Sequence, residues 1–272
     1  MQMFRNLALA STVFTLSLAP VQAQTAASET YTPSVGQSGK DVVWVPTHQD
    51  LVDRMLAMAN INENDYVIDL GSGDGRTVIS VAKLGARAHG IEYNPDLVAL
   101  SQRNAEAAGV ADRATFVEGD IFESDFSDAS VITLFLLPEL NERLRPILLN
   151  MKPGTRVVSN SFDMGDWKAD DHVRVEGDCK SWCQAYKWVI PAKVAGEWTV
   201  GDGELSLSQQ YQMLSGTLTI DGAAHPISDA KVEGTAISFL ANGTRYTGSI
   251  NGEQISGTTA SGANWTANRS AG

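Results

Sequence analysis

Val67-Ile68-Asp69-Leu70-Gly71-Ser72-Gly73-Asp74-Gly75-Arg76 is an apolar run interrupted by one acid and followed by glycine at every second position. The run from Tyr66 to Leu70 predicts a short buried strand, and residues 76–84 predict a helix stopped by Gly85. Glycines at 71, 73 and 75 let the chain turn tightly and approach a ligand without interference from Cβ atoms. A glycine loop that opens into a helix N-terminus favours an anion, which in dinucleotide enzymes is pyrophosphate. Asp69 opposes that ligand, because a carboxylate just ahead of the glycines repels phosphate and favours a cation.

Outward from this stretch the strand–helix alternation continues. Residues 88–92, 114–118, 131–136 and 156–162 read as further strands. Asn94 caps a helix with Pro95 at its first position, where the missing N–H costs nothing, and Gly109 ends it. Residues 139–150 read as a helix with a break at Pro146. Upstream, Thr47 is a candidate N-cap, with Asp50 completing a capping-box-like arrangement ahead of Leu51, Met55 and Met58. Alternation of this kind predicts an α/β fold, a mostly parallel sheet covered on both faces. After Asp166 the pattern changes. Residues 172–176 and 185–190 read as a strand pair around a turn that holds both cysteines, Cys179 and Cys183. A disulfide there would staple the hairpin, with modest stabilisation from so short a loop.

Beyond Pro191 helix signals vanish. Short alternating runs separated by Asp221-Gly222, Asn242-Gly243 and Asn251-Gly252 predict hairpins. Residues 41–191 are thus expected to form the α/β domain. Residues 192–272 are expected to form a small antiparallel all-β domain, a sandwich or a meander barrel.

Two more acids follow strands. Glu92 ends the second, where a carboxylate can accept both hydroxyls of a ribose. Asp120, in Glu118-Gly119-Asp120-Ile121, follows the third, where it can accept from an adenine amino group while Ile121 packs on the ring. A ligand with a nucleoside at one end and an ammonium and a sulfonium at the other, S-adenosylmethionine (SAM), suits this acid-x-Gly-x-Gly-x-Gly pattern better than NAD.

These motifs resemble the class I SAM-dependent methyltransferase family over roughly residues 41–191. Val45-Pro46-Thr47, together with the Gly-Ser-Gly-Asp-Gly-Arg stretch, looks like the branch that includes mitochondrial protein-lysine methyltransferases. The resemblance implies a seven-stranded Rossmann-like sheet, SAM as methyl donor and an amine acceptor such as a protein lysine. It places Thr47 near the methionyl end of SAM. Phe135-Leu136-Leu137-Pro138-Glu139 follows the fourth strand, where many nucleic-acid and glutamine methyltransferases carry Asn-Pro-Pro-Tyr or Asp-Pro-Pro-Tyr, so it departs from those branches. Leu136 or Leu137 could wall the methyl-transfer pocket. The expected cofactor-binding set is therefore Thr47, Asp69, Gly71, Ser72, Gly73, Gly75, Glu92, Asp120, Ile121 and Leu136.

An acceptor amine calls for a base near the methyl-transfer end. Glu139 and Asp163 are the candidates, because each lies just past a strand end, where α/β proteins bind ligands. A metal site is not expected: the four histidines lie far apart with no ligand spacing. The formal net charge of −12 disfavours a phosphate backbone as partner and leaves a protein or small molecule as acceptor.

Arg5, the apolar stretch 7–20 and Val21-Gln22-Ala23 read as a secretory signal peptide cut after Ala23. The apolar run is short against the about 20 residues of a membrane span. Residues 24–40 are expected to be a flexible leader. Export, to a periplasmic or secreted location, raises the question of SAM supply. The alternative readings are therefore an exported SAM- or nucleoside-binding protein without turnover, its β-domain acting as an interaction module, or a lipocalin-like β-domain carried on an α/β scaffold.

Overall fold

The computed structural model describes residues 31–270, so the expected signal peptide lies outside the described residues. The α/β part contains α1 (Gln49–Met58), β1 (Tyr66–Leu70), α2 (Arg76–Lys83), β2 (Arg87–Glu92), α3 (Pro95–Ala107), β3 (Ala114–Glu118), β4 (Val131–Leu134), α4 (Pro138–Leu148), β5 (Arg156–Asn160), β6 (Asp171–Arg174) and β7 (Gln184–Val189). They form one sheet in the order β3-β2-β1-β4-β5-β7-β6. β1 to β5 run parallel, and β7 pairs antiparallel with both β5 and β6. The four residues of β4 are all buried, as are the last four of β1, as expected of central parallel strands covered on both faces. On one face lie Leu51, Val52, Met55 and Leu56 of α1 with Val78, Val81 and Ala82 of α2. On the other, Leu144 and Leu148 of α4 pack with Trp167 and Trp188, both fully buried.

Two local expectations are corrected. The capping box does not form: His48 is the N-cap of α1 and makes no side-chain cap. The Thr47 hydroxyl instead accepts from Asn160 Nδ2 at 3.1 Å, and its carbonyl accepts from Arg76 at 2.8 Å. Helix α4 also runs through Pro146 without a break. Pro146 lies in the last turn; it forfeits the one bond its missing N–H would make to the Glu142 carbonyl, and the turn still closes through the Leu149 amide on the Arg145 carbonyl at 2.9 Å. At α3 the expected cap is present, Asn94 accepting from the Asp96 amide at 2.9 Å.

The remaining strands are β8 (Gly196–Val200), β9 (Gly203–Gln210), β10 (Met213–Ile220), β11 (Ala223–Pro226), β12 (Ser228–Glu233), β13 (Ala236–Ala241), β14 (Thr244–Asn251), β15 (Gln254–Thr259) and β16 (Asn264–Arg269). β10, β12, β13, β14, β15, β16, β8 and β9 follow one another around an eight-stranded barrel. Pairing of the last strand, β16, with the first, β8, closes it, β9 and β10 form a hairpin within it, and β11 pairs with β10 alone. Its interior is filled by Trp198, Leu205, Leu218, Val232, Phe239, Ile255 and Trp265, so the barrel is a packed core in the manner of small closed barrels. That filling removes the physical basis for a lipocalin-like cavity. The turns at Asp221-Gly222 and Asn242-Gly243 are two-residue hairpin loops with positive φ at both positions. The third turns one residue later than expected, at Gly252-Glu253, with Asn251 paired to Gln254.

The barrel and the sheet are joined by buried polar bonds. Trp167 Nε1 donates to Gln212 Oε1 at 2.9 Å, Gln212 Nε2 donates to the Lys168 carbonyl at 2.7 Å, and the Ala192 amide donates to the Gly234 carbonyl at 2.8 Å. From Thr32 onward the chain forms one compact unit. Among the described residues no helix is long and apolar enough to cross a membrane.

Candidate functional site

A cavity of about 490 Å³ opens at the carboxyl ends of β1, β2, β3 and β4. Thr47, Asp69, Gly71, Ser72, Gly73, Glu92, Asp120, Ile121 and Leu136 all line it. Gly75 does not; it caps α2 with φ +81 and lies against the core. A Cβ at Gly75 would lie 2.8 Å from Phe116 and Ser101, which explains why glycine is needed there beyond its backbone angle.

The loop amides are already committed. Gly71 and Ser72 donate to the Ile91 carbonyl at 2.8 and 3.1 Å, Gly75 donates to the Ser72 carbonyl at 2.9 Å, and Gly73 donates to Glu92 Oε2 at 2.9 Å. A pyrophosphate would need those amides, so the geometry agrees with Asp69 in opposing a dinucleotide. Glu92 Oε1 accepts from the Asn94 amide at 3.0 Å. Each Glu92 oxygen keeps a further lone pair for a ligand hydroxyl.

Asp69 is the electrostatic centre of this end. It is buried and accepts from Thr133 Oγ1 at 2.6 Å. Burial pushes its carboxyl up to about 7, helped by the nearby negative charges of Glu92 and Asp74 and opposed by the Thr133 hydroxyl. A buried carboxylate with one neutral donor calls for a cationic ligand group. Ser72 Oγ is likewise buried with no hydrogen-bond partner in the protein. Both observations fit a ligand that brings an ammonium and further polar atoms.

Asp120 sits at the rim. Its Oδ1 accepts from the Phe122 amide at 2.9 Å, and its Oδ2 pairs with Lys40. The Lys40 ammonium holds the Asp120 carboxyl below the usual carboxylate range. Lys40 belongs to the stretch expected to be a flexible leader. Residues 34–44 instead form a short hairpin, the Gly36 amide bonding the Trp44 carbonyl and the Trp44 amide the Gln37 carbonyl, both at 2.9 Å. This hairpin lines the cavity, and Lys40 lies 4.8 Å from the Tyr93 ring centroid. Within residues 34–40 the order comes from backbone bonds and the Lys40–Asp120 pair, neither of which a composition poor in apolar residues announces.

The opposite end of the cavity is aromatic. Phe135 follows β4, Phe162 follows β5, and Trp182 lies on the β6–β7 connection. Their ring centroids are 5.2 Å (Phe162–Trp182), 6.2 Å (Phe135–Trp182) and 6.3 Å (Phe135–Phe162) apart. The sequence pattern places Phe135 within the strand read at 131–136 and singles out neither Phe162 nor Trp182. The available signal was an aromatic residue inside a cysteine-closed turn. Cys179 and Cys183 are disulfide-bonded.

Neither candidate base lines the cavity. Glu139 is exposed in the first turn of α4. Asp163 is exposed and accepts from the Gly165 amide at 3.2 Å, closing its own turn. Among the described residues no group of His, Cys, Asp and Glu is placed to hold a metal.

Comparison with known proteins follows the same division of the chain. The family model described as the ANTKMT methyltransferase domain matches residues 69–171. A protein-lysine N-methyltransferase of Saccharolobus islandicus is 44% identical over 138 residues, 50% of this chain and 86% of that protein. An adenine nucleotide translocase lysine N-methyltransferase of Mus musculus is 36% identical over 104 residues, 38% of this chain and 45% of that protein, so the match spans less than half of that relative's length. The crystal structure of an RNA methyltransferase from Salinibacter ruber in complex with S-adenosyl-L-homocysteine is 51% identical, with a TM-score of 0.52, covering 55% of this chain and 96% of that one.

Proposed function

Because the chain belongs to the class I SAM-dependent methyltransferase family, with SAM as its cofactor, we propose that it methylates the side-chain amine of a protein lysine. The observation that carries this reading is the aromatic mouth of Phe135, Phe162 and Trp182 beside a carboxylate-lined cofactor end. Aromatic faces attract an approaching ammonium. The lysine methyltransferases among the relatives support the same acceptor class. Nucleic acid is the competing class, raised by the Salinibacter ruber protein. The formal charge of −12 opposes it, since a phosphate backbone is held by Lys and Arg.

Bound SAM supplies a methyl group on a sulfonium, which needs no further activation. In this reading Asp69 pairs with the ammonium of the methionyl part. Glu92 accepts the ribose hydroxyls through its remaining lone pairs, and Asp120 and Ile121 meet the adenine. Gly71, Ser72 and Gly73 permit the close approach of the loop, Gly75 seats it on the core, and Thr47 and Leu136 border the methionyl end. The acceptor amine loses its proton as it leaves water, because apolar surroundings disfavour the charged form. The chain's contribution is then alignment and exclusion of water, with no dedicated base.

We also propose that the reaction takes place outside the cytoplasm. Residues 1–23 support it as a signal peptide, and the Cys179–Cys183 bond supports it because such bonds persist in oxidising compartments. The test is to incubate the purified protein and methyl-labelled SAM with cell-envelope protein and with RNA. Methyl-lysine should appear in the protein hydrolysate and disappear with Asp69→Asn. Label in RNA alone overturns the lysine reading.

A further inference from the structure

Trp182 comes from a part of the chain that the family model does not reach, since the match ends at residue 171. It nevertheless completes the aromatic end of the cavity. Its indole rests on Phe162 and Phe135, yet 47% of the residue remains exposed. Its backbone φ is +59, in the left-handed region that a bulky residue rarely adopts. Burial alone therefore does not hold it, and the local backbone preference works against it. The surrounding covalent structure does hold it. Cys179 and Cys183 are both buried and bonded, Trp182 sits between them, and the Val175 amide bonds the Cys183 carbonyl at 2.8 Å. The bond closes a loop with a sequence separation of only 4, too short to constrain the unfolded chain much. Its consequence is local, and the feature it fixes is the indole.

We propose that Trp182 is a specificity-determining residue, the outer wall of the acceptor's path, and that the Cys179–Cys183 disulfide is the device that positions it. This rests on the lysine reading above. Reduction, in which a dithiol reagent gives up two electrons and two protons and leaves two cysteine thiols, frees the loop to relax its left-handed residue. Acceptor binding then weakens while the cofactor end, built on β1 to β3, is untouched. Methyl transfer to lysine therefore runs at full efficiency only in an oxidising compartment.

The experiment uses the purified full chain with poly-L-lysine as probe acceptor. It reads KM and kcat for methyl transfer alongside the SAM Kd by calorimetry. Trp182→Ala, the double change Cys179→Ser with Cys183→Ser, and dithiothreitol treatment of the unaltered protein should each raise the poly-L-lysine KM about tenfold, the scale of a lost ring–cation contact. The SAM Kd should stay within about twofold of the oxidised protein. Trp182→Phe should restore most of the KM, which a merely structural role does not foresee. The dithiothreitol arm, reversed on reoxidation, gives the same readout without relying on a variant to fold. An unchanged KM in Trp182→Ala overturns this proposal alone, as does a SAM Kd that moves in step with KM. If the oxidised protein binds SAM but transfers nothing to lysine, the lysine reading fails and this proposal falls with it.

Discussion

At one end of the cavity, Asp69, Glu92 and Asp120 stand at or just beyond the ends of three neighbouring parallel strands, and their carboxylates are held by backbone amides, a threonine and a lysine. At the other, Phe135 and Phe162 extend from strand ends, while Trp182 leans in from a disulfide-closed turn. The first end is continuous with the core of the sheet, and the second is assembled at its edge. A cofactor site that must recognise one molecule gains from rigid, charged, deeply seated groups. An acceptor path must admit a chain from outside, and peripheral apolar surfaces serve that purpose without committing the fold. If this division holds, changes at the first end should alter SAM binding and, where they reach the core, stability as well. Changes at the second should disturb only the acceptor.

The largest expected effect is at Asp69. Asp69→Asn keeps the acceptor atom for Thr133 Oγ1 but removes the charge, and SAM affinity measured by calorimetry should fall by at least about a hundredfold, the scale of a broken buried charge pair. The same substitution should raise the Tm of the ligand-free protein at pH 8. The Asp69 carboxyl, pushed up to about 7 from an ordinary 3.8, makes ionisation cost folding free energy as the pH rises between those values. Asparagine never ionises. Loss of binding with a gain in stability distinguishes a charge held for function from one held for structure.

Gly75→Ala tests whether the cofactor loop is part of the core. The new Cβ would meet Phe116 and Ser101 at 2.8 Å, on a residue whose φ is +81. Denaturant titration should show a loss of about 2 kcal/mol, from strain and overpacking combined. Trp182→Ala, at the other end, should change stability by less than about 1 kcal/mol. Equal losses would show that the two ends share one mechanical unit, which breaks the comparison.

The two ends also differed in how far they could be read from sequence. Asp69, Glu92 and Asp120 were legible because each sits at a fixed offset from an apolar run, and strand ends are where this fold presents ligand groups. The same logic also chose Glu139 and Asp163, which do not line the cavity. Being past a strand end does not say which way a side chain points: Glu139 is exposed in the first turn of α4, and Asp163 closes its own turn by accepting from the Gly165 amide. Phe162 and Trp182 were illegible for another reason. Aromatics from separate segments look individually like core residues, and only the tertiary structure brings them to one mouth. In the barrel, Asp-Gly and Asn-Gly dipeptides announced the hairpins. The choice between a sandwich and a closed barrel did not show, because closure depends on β16 pairing with β8, strands far apart in the chain that share no local pattern.

A pH series sharpens the account of the cofactor end. The cofactor's ammonium pairs with the ionised form of Asp69, which dominates at pH 8 but is a minority at pH 6 when the carboxyl titrates near 7. The apparent SAM affinity should therefore drop about tenfold from pH 8 to pH 6, in proportion to the competent fraction. At pH 6, calorimetry in buffers of different ionisation enthalpy should detect close to one proton released on binding. A flat profile would mean that Asp69 is ionised throughout, and that its charge is balanced by a group other than the ligand.

The smallest effect should come from Lys40→Ala, and its smallness is informative. Lys40 pairs with Asp120 and reaches over Tyr93, so it fastens the 34–44 hairpin across the cavity. Losing it should let the hairpin loosen and SAM leave faster. The pair lies at the rim, however, with the Lys40 side chain 36% exposed. Solvent-exposed pairs contribute little, and salt screens them. The SAM Kd should rise by about threefold at low ionic strength, and the difference should shrink on adding about 0.5 M salt. Asp69 and Asp120 are both carboxylates near strand ends of the same site, and they differ chiefly in depth. A Lys40 variant as damaging as Asp69→Asn would show that closure of the hairpin, and not the buried charge, is what holds the cofactor.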